Sequence, residues 1–164
     1  MQKLAADPKV VFIGYGVRYG GLAAGTLKGI PEAQLIETPV AENLMVGIGI
    51  GMALQGYKPV VFIERCDFIL NALDAIVNHL DKINVMSRGD FKPTMILRVV
   101  VGNRQKPLFT GETHTQDFSE AIAKMVSFPV VLLRDTQQIA AGYESAATNL
   151  QKSSAMLVEY KDLY

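Results

Sequence analysis

Short apolar runs with no polar alternation constrain this chain most. Val10–Ile13, Pro59–Ile63 and Thr94–Val101 are nearly continuous in aliphatic and aromatic residues, and Gln34–Glu37, Pro129–Leu133 and Ala155–Glu159 are shorter companions. A strand wetted on one face alternates apolar and polar residues, whereas a strand covered on both faces reads as an unbroken apolar run. Segments of helical pattern separate these runs: Glu42 to Gln55, Asp67 to Met86, Ser119 to Met125 and Thr136 to Asn149, with one or two turns over Leu22 to Leu27. Strands alternating with helices lead to an α/β fold, here a three-layer α/β/α domain around a mostly parallel sheet.

At 164 residues the chain can bury a substantial core, and one domain spanning 1–164 is expected. Sixteen basic residues cancel sixteen acidic ones. No like-charge block or aromatic-studded basic stripe is present, so nucleic acid is not an expected partner. The one cysteine, Cys66, excludes an internal disulfide and fits a reducing compartment. No apolar stretch suits a signal peptide or a bilayer span, and a soluble cytoplasmic domain without a membrane partner is expected.

In parallel sheets ligands bind beyond the carboxyl ends of the strands. Glu37–Glu42, Glu64–Phe68 and Gly102–Gln116 each follow a strand and are expected to meet at one edge. Glu42 opens a glycine-rich apolar helix (Gly47, Gly49, Gly51) that Gly56 terminates. Its carboxylate reads either as a first-turn charge favoured by the helix dipole, about 0.3–1 kcal/mol, or as a functional group. Asp67 suits the N-cap of a long helix whose apolar face runs from Phe68 to Ile83. His79 reads as solvated, Cys66 as a small buried hydrophobe and Phe68 as core or platform. The glycines from Gly14 to Gly21 follow a strand, as a dinucleotide fingerprint does, but Gly16 to Gly20 is one residue too long for GxGxxG.

Read together, TPVAEN, GIGIGMALQG, KPVVFIERCDF, NALDAIVNHLDKI and GETHTQ resemble one family. The chain is similar to the pyrimidine-binding (Pyr) domain of thiamine diphosphate enzymes. The best match is the N-terminal half of 2-oxoacid dehydrogenase E1 beta subunits, with transketolase as a relative. Thr38-Pro39, Glu42, the three helix glycines, Lys58-Pro59, Asp67-Phe68 and the segment Leu73 to Asn78 carry the pattern, over nearly the whole chain from Lys9 to Tyr164.

The resemblance implies thiamine diphosphate as cofactor. Glu42 would polarise its aminopyrimidine, Phe68 would stack on that ring, and Thr38 and Asp67 would complete the cofactor-binding set. His114 would handle protons on the substrate side; Glu42 and His114 are thus the expected catalytic residues. No metal ligand is expected in this chain. The pattern GDG…N that holds Mg²⁺ has only Gly89-Asp90-Phe91 as an echo, so Mg²⁺ is expected with a pyrophosphate-binding (alpha-type) subunit or domain. That domain and the C-terminal transketolase-like domain are expected to be absent from 1–164. A homodimer or heterotetramer is implied, with exposed apolar surface around Leu44, Met45 and Ile69 as its interface. Glu64 departs from the family, where many beta subunits have Gln. The alternatives are a non-catalytic Pyr-like assembly or regulatory domain and, more weakly, a Rossmann-like nucleotide-binding module.

Overall fold

A computed structural model of the chain describes residues 1–19, 25–108 and 111–163. Six strands, β1 (Val10–Gly14), β2 (Leu35–Glu37), β3 (Lys58–Ile63), β4 (Ile96–Val101), β5 (Val130–Leu133) and β6 (Ala155–Tyr160), form one sheet. Their order is β2-β1-β3-β4-β6-β5 and every neighbouring pair is parallel. The apolar runs therefore became what a two-sided strand requires.

Alternate residues of each strand serve opposite layers. Val11, Ile13, Val61, Ile63, Leu97, Val99 and Val158 meet α2 (Glu42–Leu54) and the segment 66–80. Val10, Phe12, Val60, Phe62, Ile96, Ala155 and Leu157 meet α1 (Gln2–Ala5) and α5 (Thr136–Asn149). Fully burying one such side chain is worth about 1.5–3 kcal/mol, so this period of two dictates register as well as fold. Two short helices, α3 (Ile83–Met86) and α4 (Ser119–Ala123), complete the layers. Gly56 takes φ +84° after α2, the left-handed geometry its stop signal requires.

Three expectations need correction. The single helix from Asp67 to Met86 is three pieces: a 3₁₀ segment Cys66–Ala72, a π segment Asp74–Leu80, and α3. The cause lies in the spacing of the buried residues. Cys66, Ile69 and Ala72 lie three apart, and a helix of three residues per turn buries all of them on one face. Asp81 N–H then bonds to the Ile76 carbonyl, the five-residue step of a π turn. Second, Asp67 caps no helix, because its carboxylate is committed elsewhere. Third, Met45 and Ile69 are buried at 2% and 0% exposure, while Leu44 is 46% exposed, so only Leu44 of that trio faces outward. The turns expected over Leu22 to Leu27 fall largely outside the described residues. No described helix is long and apolar enough to cross a membrane.

Candidate active site at the carboxyl edge of the sheet

The three segments expected to converge do so around a cavity of about 210 Å³. Tyr15 enters from the loop after β1, and Val40, Glu42 and Met45 from the entry and first turn of α2. Phe62, Glu64, Arg65 and Phe68 enter from β3 and beyond, and Leu108 and His114 from the loop after β4. Its walls are mainly apolar. Thr38 and Asp67 stand outside this lining, although both are buried with one unpartnered oxygen, Thr38 Oγ1 and Asp67 Oδ2. His79 is exposed beside Asp74, 3.2 Å away, and takes no part.

Glu42 is the first residue of α2 and only 6% exposed. The N-cap residue Ala41 offers no side-chain bond, and the Glu42 carboxylate does not turn back onto the helix. Among the described residues it accepts one side-chain hydrogen bond, from Asn71 Nδ2 to Oε2 at 3.3 Å. A buried carboxylate with so few donors is costly unless something else satisfies it. Glu42 also stands in the first turn of α2, where the helix dipole favours a carboxylate. Asn71, a residue sequence reasoning did not single out, holds it from the 3₁₀ segment.

Phe68 is half-buried, and its ring meets the His114 imidazole at 90° with centroids 5.1 Å apart. The 3₁₀ turn Gly111–His114 presents that imidazole, whose Nδ1 lies 3.2 Å from Thr113 Oγ1. Several bonds staple this loop to the Cys66-Asp67 step. Asp67 Oδ1 accepts from Gln116 N at 3.2 Å and Gln116 Nε2 at 3.0 Å, and Phe118 N donates to Cys66 Sγ at 3.2 Å. Burial pushes the Cys66 thiol up to about 11, so it stays an inert thiol at neutral pH. Gly102, just past β4, also belongs to the arrangement, since a methyl there would run into the His114 carbonyl oxygen.

Glu64 supplies a second carboxyl to the cavity. Burial holds its pKa above the usual carboxylate range, against the pull of Arg98, Arg65 and Lys161. Its Oε1 is buried and unpartnered.

The glycine turn after β1 is already filled. Gly16 N–H and Arg18 N–H donate to the two oxygens of Glu37, at 2.5 and 2.9 Å. The amides a pyrophosphate would need are thus occupied by the chain's own carboxylate; Gly20 and Gly21 of that motif lie outside the described residues. Among the described residues no three His, Cys, Asp or Glu side chains gather as a metal-ligand set. What the cavity suits is a flat ring with a polar edge: the Phe68 ring for its face, apolar walls, and the Glu42 carboxylate for a ring N–H.

The sequence matches the family described as transketolase, pyrimidine binding domain, over residues 2–164. It is 34% identical over 122 residues to the mitochondrial pyruvate dehydrogenase E1 component subunit beta of Saccharomyces cerevisiae, covering 72% of this chain and 32% of that protein. It is 29% identical over 167 residues to the pyruvate dehydrogenase E1 component subunit beta of Acholeplasma laidlawii, covering 99% of this chain and 50% of that one. The chain thus spans half or less of the length of these curated relatives. A split-gene transketolase, described as an inactive beta4 tetramer, superposes with TM-score 0.68 at 15% identity over 96% of this chain and 48% of its own. Transketolase from Campylobacter jejuni superposes with TM-score 0.64 at 16% identity, over 94% of this chain and 24% of its own.

Proposed function

The chain belongs to the transketolase pyrimidine-binding domain family, and from that premise we propose that it is the beta-type part of a thiamine diphosphate-dependent enzyme. In this reading the cavity receives the aminopyrimidine half of the cofactor at an interface with a pyrophosphate-binding, alpha-type partner. That partner brings Mg²⁺ and the diphosphate contacts. The observation that carries the reading is the Glu42 carboxylate, buried in an apolar cavity with one hydrogen bond from Asn71, beside the Phe68 ring.

The chemistry follows from what these residues can do. When bound, the cofactor supplies an acidic carbon and an electron sink for cleaving a bond next to a carbonyl. Glu42 holds a proton on the ring nitrogen it faces, and burial strengthens that interaction. The Phe68 ring fixes the plane of the aminopyrimidine. His114, which lines the same cavity beside Phe68, handles protons on the substrate side in this reading. Asp67 and Gly102 act at one remove by seating the loop that carries His114. Thr38 and Asp67, each with one buried unpartnered oxygen, complete the cofactor-binding set in this reading. The substrate class is a 2-oxo acid or a ketose.

Calorimetric titration of thiamine diphosphate with Mg²⁺ tests this, with the chain alone and then with a candidate pyrophosphate-domain partner. Binding only in the mixture, together with cofactor C2 proton exchange that is lost in Glu42→Ala, is the expected result. No binding in any mixture with a proven partner would sink the reading. A second reading, a non-catalytic assembly domain, is favoured by the split transketolase neighbour that is itself an inactive beta tetramer.

A further inference from the structure

We propose that Glu64 makes this cavity selective for a flat cationic ring, acting with Glu42 as a second carboxylate beside the Phe68 ring. The inference rests on the cavity being the ring-binding site argued above. It concerns which charge state of the ring is held.

Glu42 arrives from α2 and Glu64 from the end of β3, yet both line the one cavity together with Phe68. The Glu64 side chain is only 15% exposed. Its Oε1 is shut off from solvent and accepts no hydrogen bond, and its Oε2 lies 3.9 Å from Arg65 Nη1, beyond hydrogen-bond reach. That Arg65 nitrogen donates instead to the Glu64 main-chain carbonyl. The charged groups around Glu64 are Arg65 beside it, Arg98 on β4, and Lys161 and Glu159 at the end of β6, with Glu42 and His114 also on the cavity wall. Despite three cations, burial dominates and the acid keeps its proton above the ordinary range. The group lacks a counter-charge within hydrogen-bond reach and a donor to its buried Oε1.

A flat cation seated in the cavity brings both. Glu64 then ionises, its proton leaves to solvent, and the carboxylate pairs with the bound cation. A neutral ring of the same shape gains nothing from this step, whereas an aromatic face such as that of Phe68 favours a cation further. The linkage has a definite sign. In the free protein Glu64 is protonated between the ordinary carboxylate range and its raised one. Cation affinity therefore climbs as pH rises through that window, by at most about tenfold per pH unit for one released proton, and levels off above it.

The test uses the full chain and two isosteric probes, benzamidine (a cation throughout) and benzamide (neutral), titrated between about pH 5 and 8. Calorimetry in two buffers of different ionisation enthalpy counts the protons released. The wild type is expected to prefer benzamidine, increasingly with pH, with proton release. Glu64→Gln should lose both the slope and the release, while Glu64→Asp, which keeps an acid, retains a slope. Equal slopes in wild type and Glu64→Gln, or no preference for the cation, overturn the proposal. A parallel titration with 4-amino-2-methylpyrimidine separates the two ideas. If that ring fails to bind with the pyrophosphate-domain partner present, or there binds Glu42→Ala as well as wild type, the cofactor reading falls while the charge selectivity of Glu64 stands on the benzamidine result.

Discussion

The His114 imidazole and the Phe68 ring meet at right angles, centroids 5.1 Å apart, across a cavity that both residues line. Neither is near the other in sequence, and Asp67, next to Phe68, accepts two hydrogen bonds from Gln116, two residues past His114. Aromatic pairs of this kind contribute about 0.5–1.5 kcal/mol beyond their buried area. Phe68 is the ring platform of the proposed pyrimidine site, and Phe68→Leu is expected to weaken thiamine diphosphate binding in the mixture with a pyrophosphate-domain partner by about tenfold. It should also shift the His114 ring resonances, since the neighbouring ring current disappears. Titration and an NMR spectrum of the variant check the two effects. An unmoved His114 signal would show that the rings do not meet in solution.

Asn71 contributes the hydrogen bond that orients Glu42. A net bond of this type is worth about 0.5–1.5 kcal/mol, so Asn71→Ala should reduce C2 proton exchange by up to about tenfold. Glu42→Ala, by contrast, removes the group itself and should abolish exchange. The comparison is a rate measurement on two variants, and equal losses would mean that Asn71 acts on something other than Glu42.

These residues differ in how far the sequence disclosed them. The strands were legible because both of their faces are covered, which leaves an unbroken apolar signature. Glu42, Phe68 and His114 were legible through the family resemblance. Asn71 was not, because it sits in a stretch whose apolar positions fit a helix of 3.6 residues per turn as well as the three-residue winding it adopts. Asp67 was misread as a cap for a related reason. A cap is a local bond, while Gln116, its actual partner, lies 49 positions away. The clash waiting at Gly102 is likewise invisible without the fold.

The glycines of α2 separate the isolated chain from its assembly. Added methyls at Gly47 and Gly51 meet nothing within 4 Å, whereas one at Gly49 lies 3.0 Å from both Val61 and Met95. Replacing an open helical glycine by Ala stabilises by about 0.8–1.0 kcal/mol. Gly47→Ala and Gly51→Ala should each raise the melting temperature of the chain alone. If a partner packs against this face, the same variants should weaken association in sedimentation experiments. Gly102→Ala should lower both stability and activity, because the His114 loop must move.

Glu64 also predicts how stability depends on pH. Its pKa in the folded chain lies above its unfolded value, so the native state binds that proton more tightly. Its contribution is fully present below the ordinary carboxylate range and is lost as pH rises through the raised value. Glu64→Gln cannot titrate. Its melting temperature relative to wild type should therefore climb across that window and become constant above it. A difference independent of pH would mean that Glu64 is ionised throughout.

The far side of the sheet carries a buried charge network that reaches the cavity. Arg98 on β4 donates from Nε and Nη2 to the two oxygens of Glu159 on β6, at 3.1 and 2.7 Å, and Tyr143 of α5 donates to the same carboxylate at 2.5 Å. The guanidinium also sits 4.8 Å from the centre of the Phe62 ring, and Phe62 is part of the cavity wall. Both charged side chains are at most 3% exposed. Removing one member of such a buried pair costs about 3–5 kcal/mol, because the remaining charge is still desolvated. Glu159→Ala should therefore be the most destabilising of these variants in urea unfolding, with Tyr143→Phe costing less than half as much. Glu159 also opposes ionisation of Glu64. Glu159→Gln should accordingly move the Glu64-dependent melting window to lower pH. Arg98 acts on Glu64 more strongly than Glu159 and in the opposite sense, so adding Arg98→Met to Glu159→Gln should return the window to higher pH. A window still shifted downward in the double variant would show that Arg98 does not hold the Glu64 pKa down.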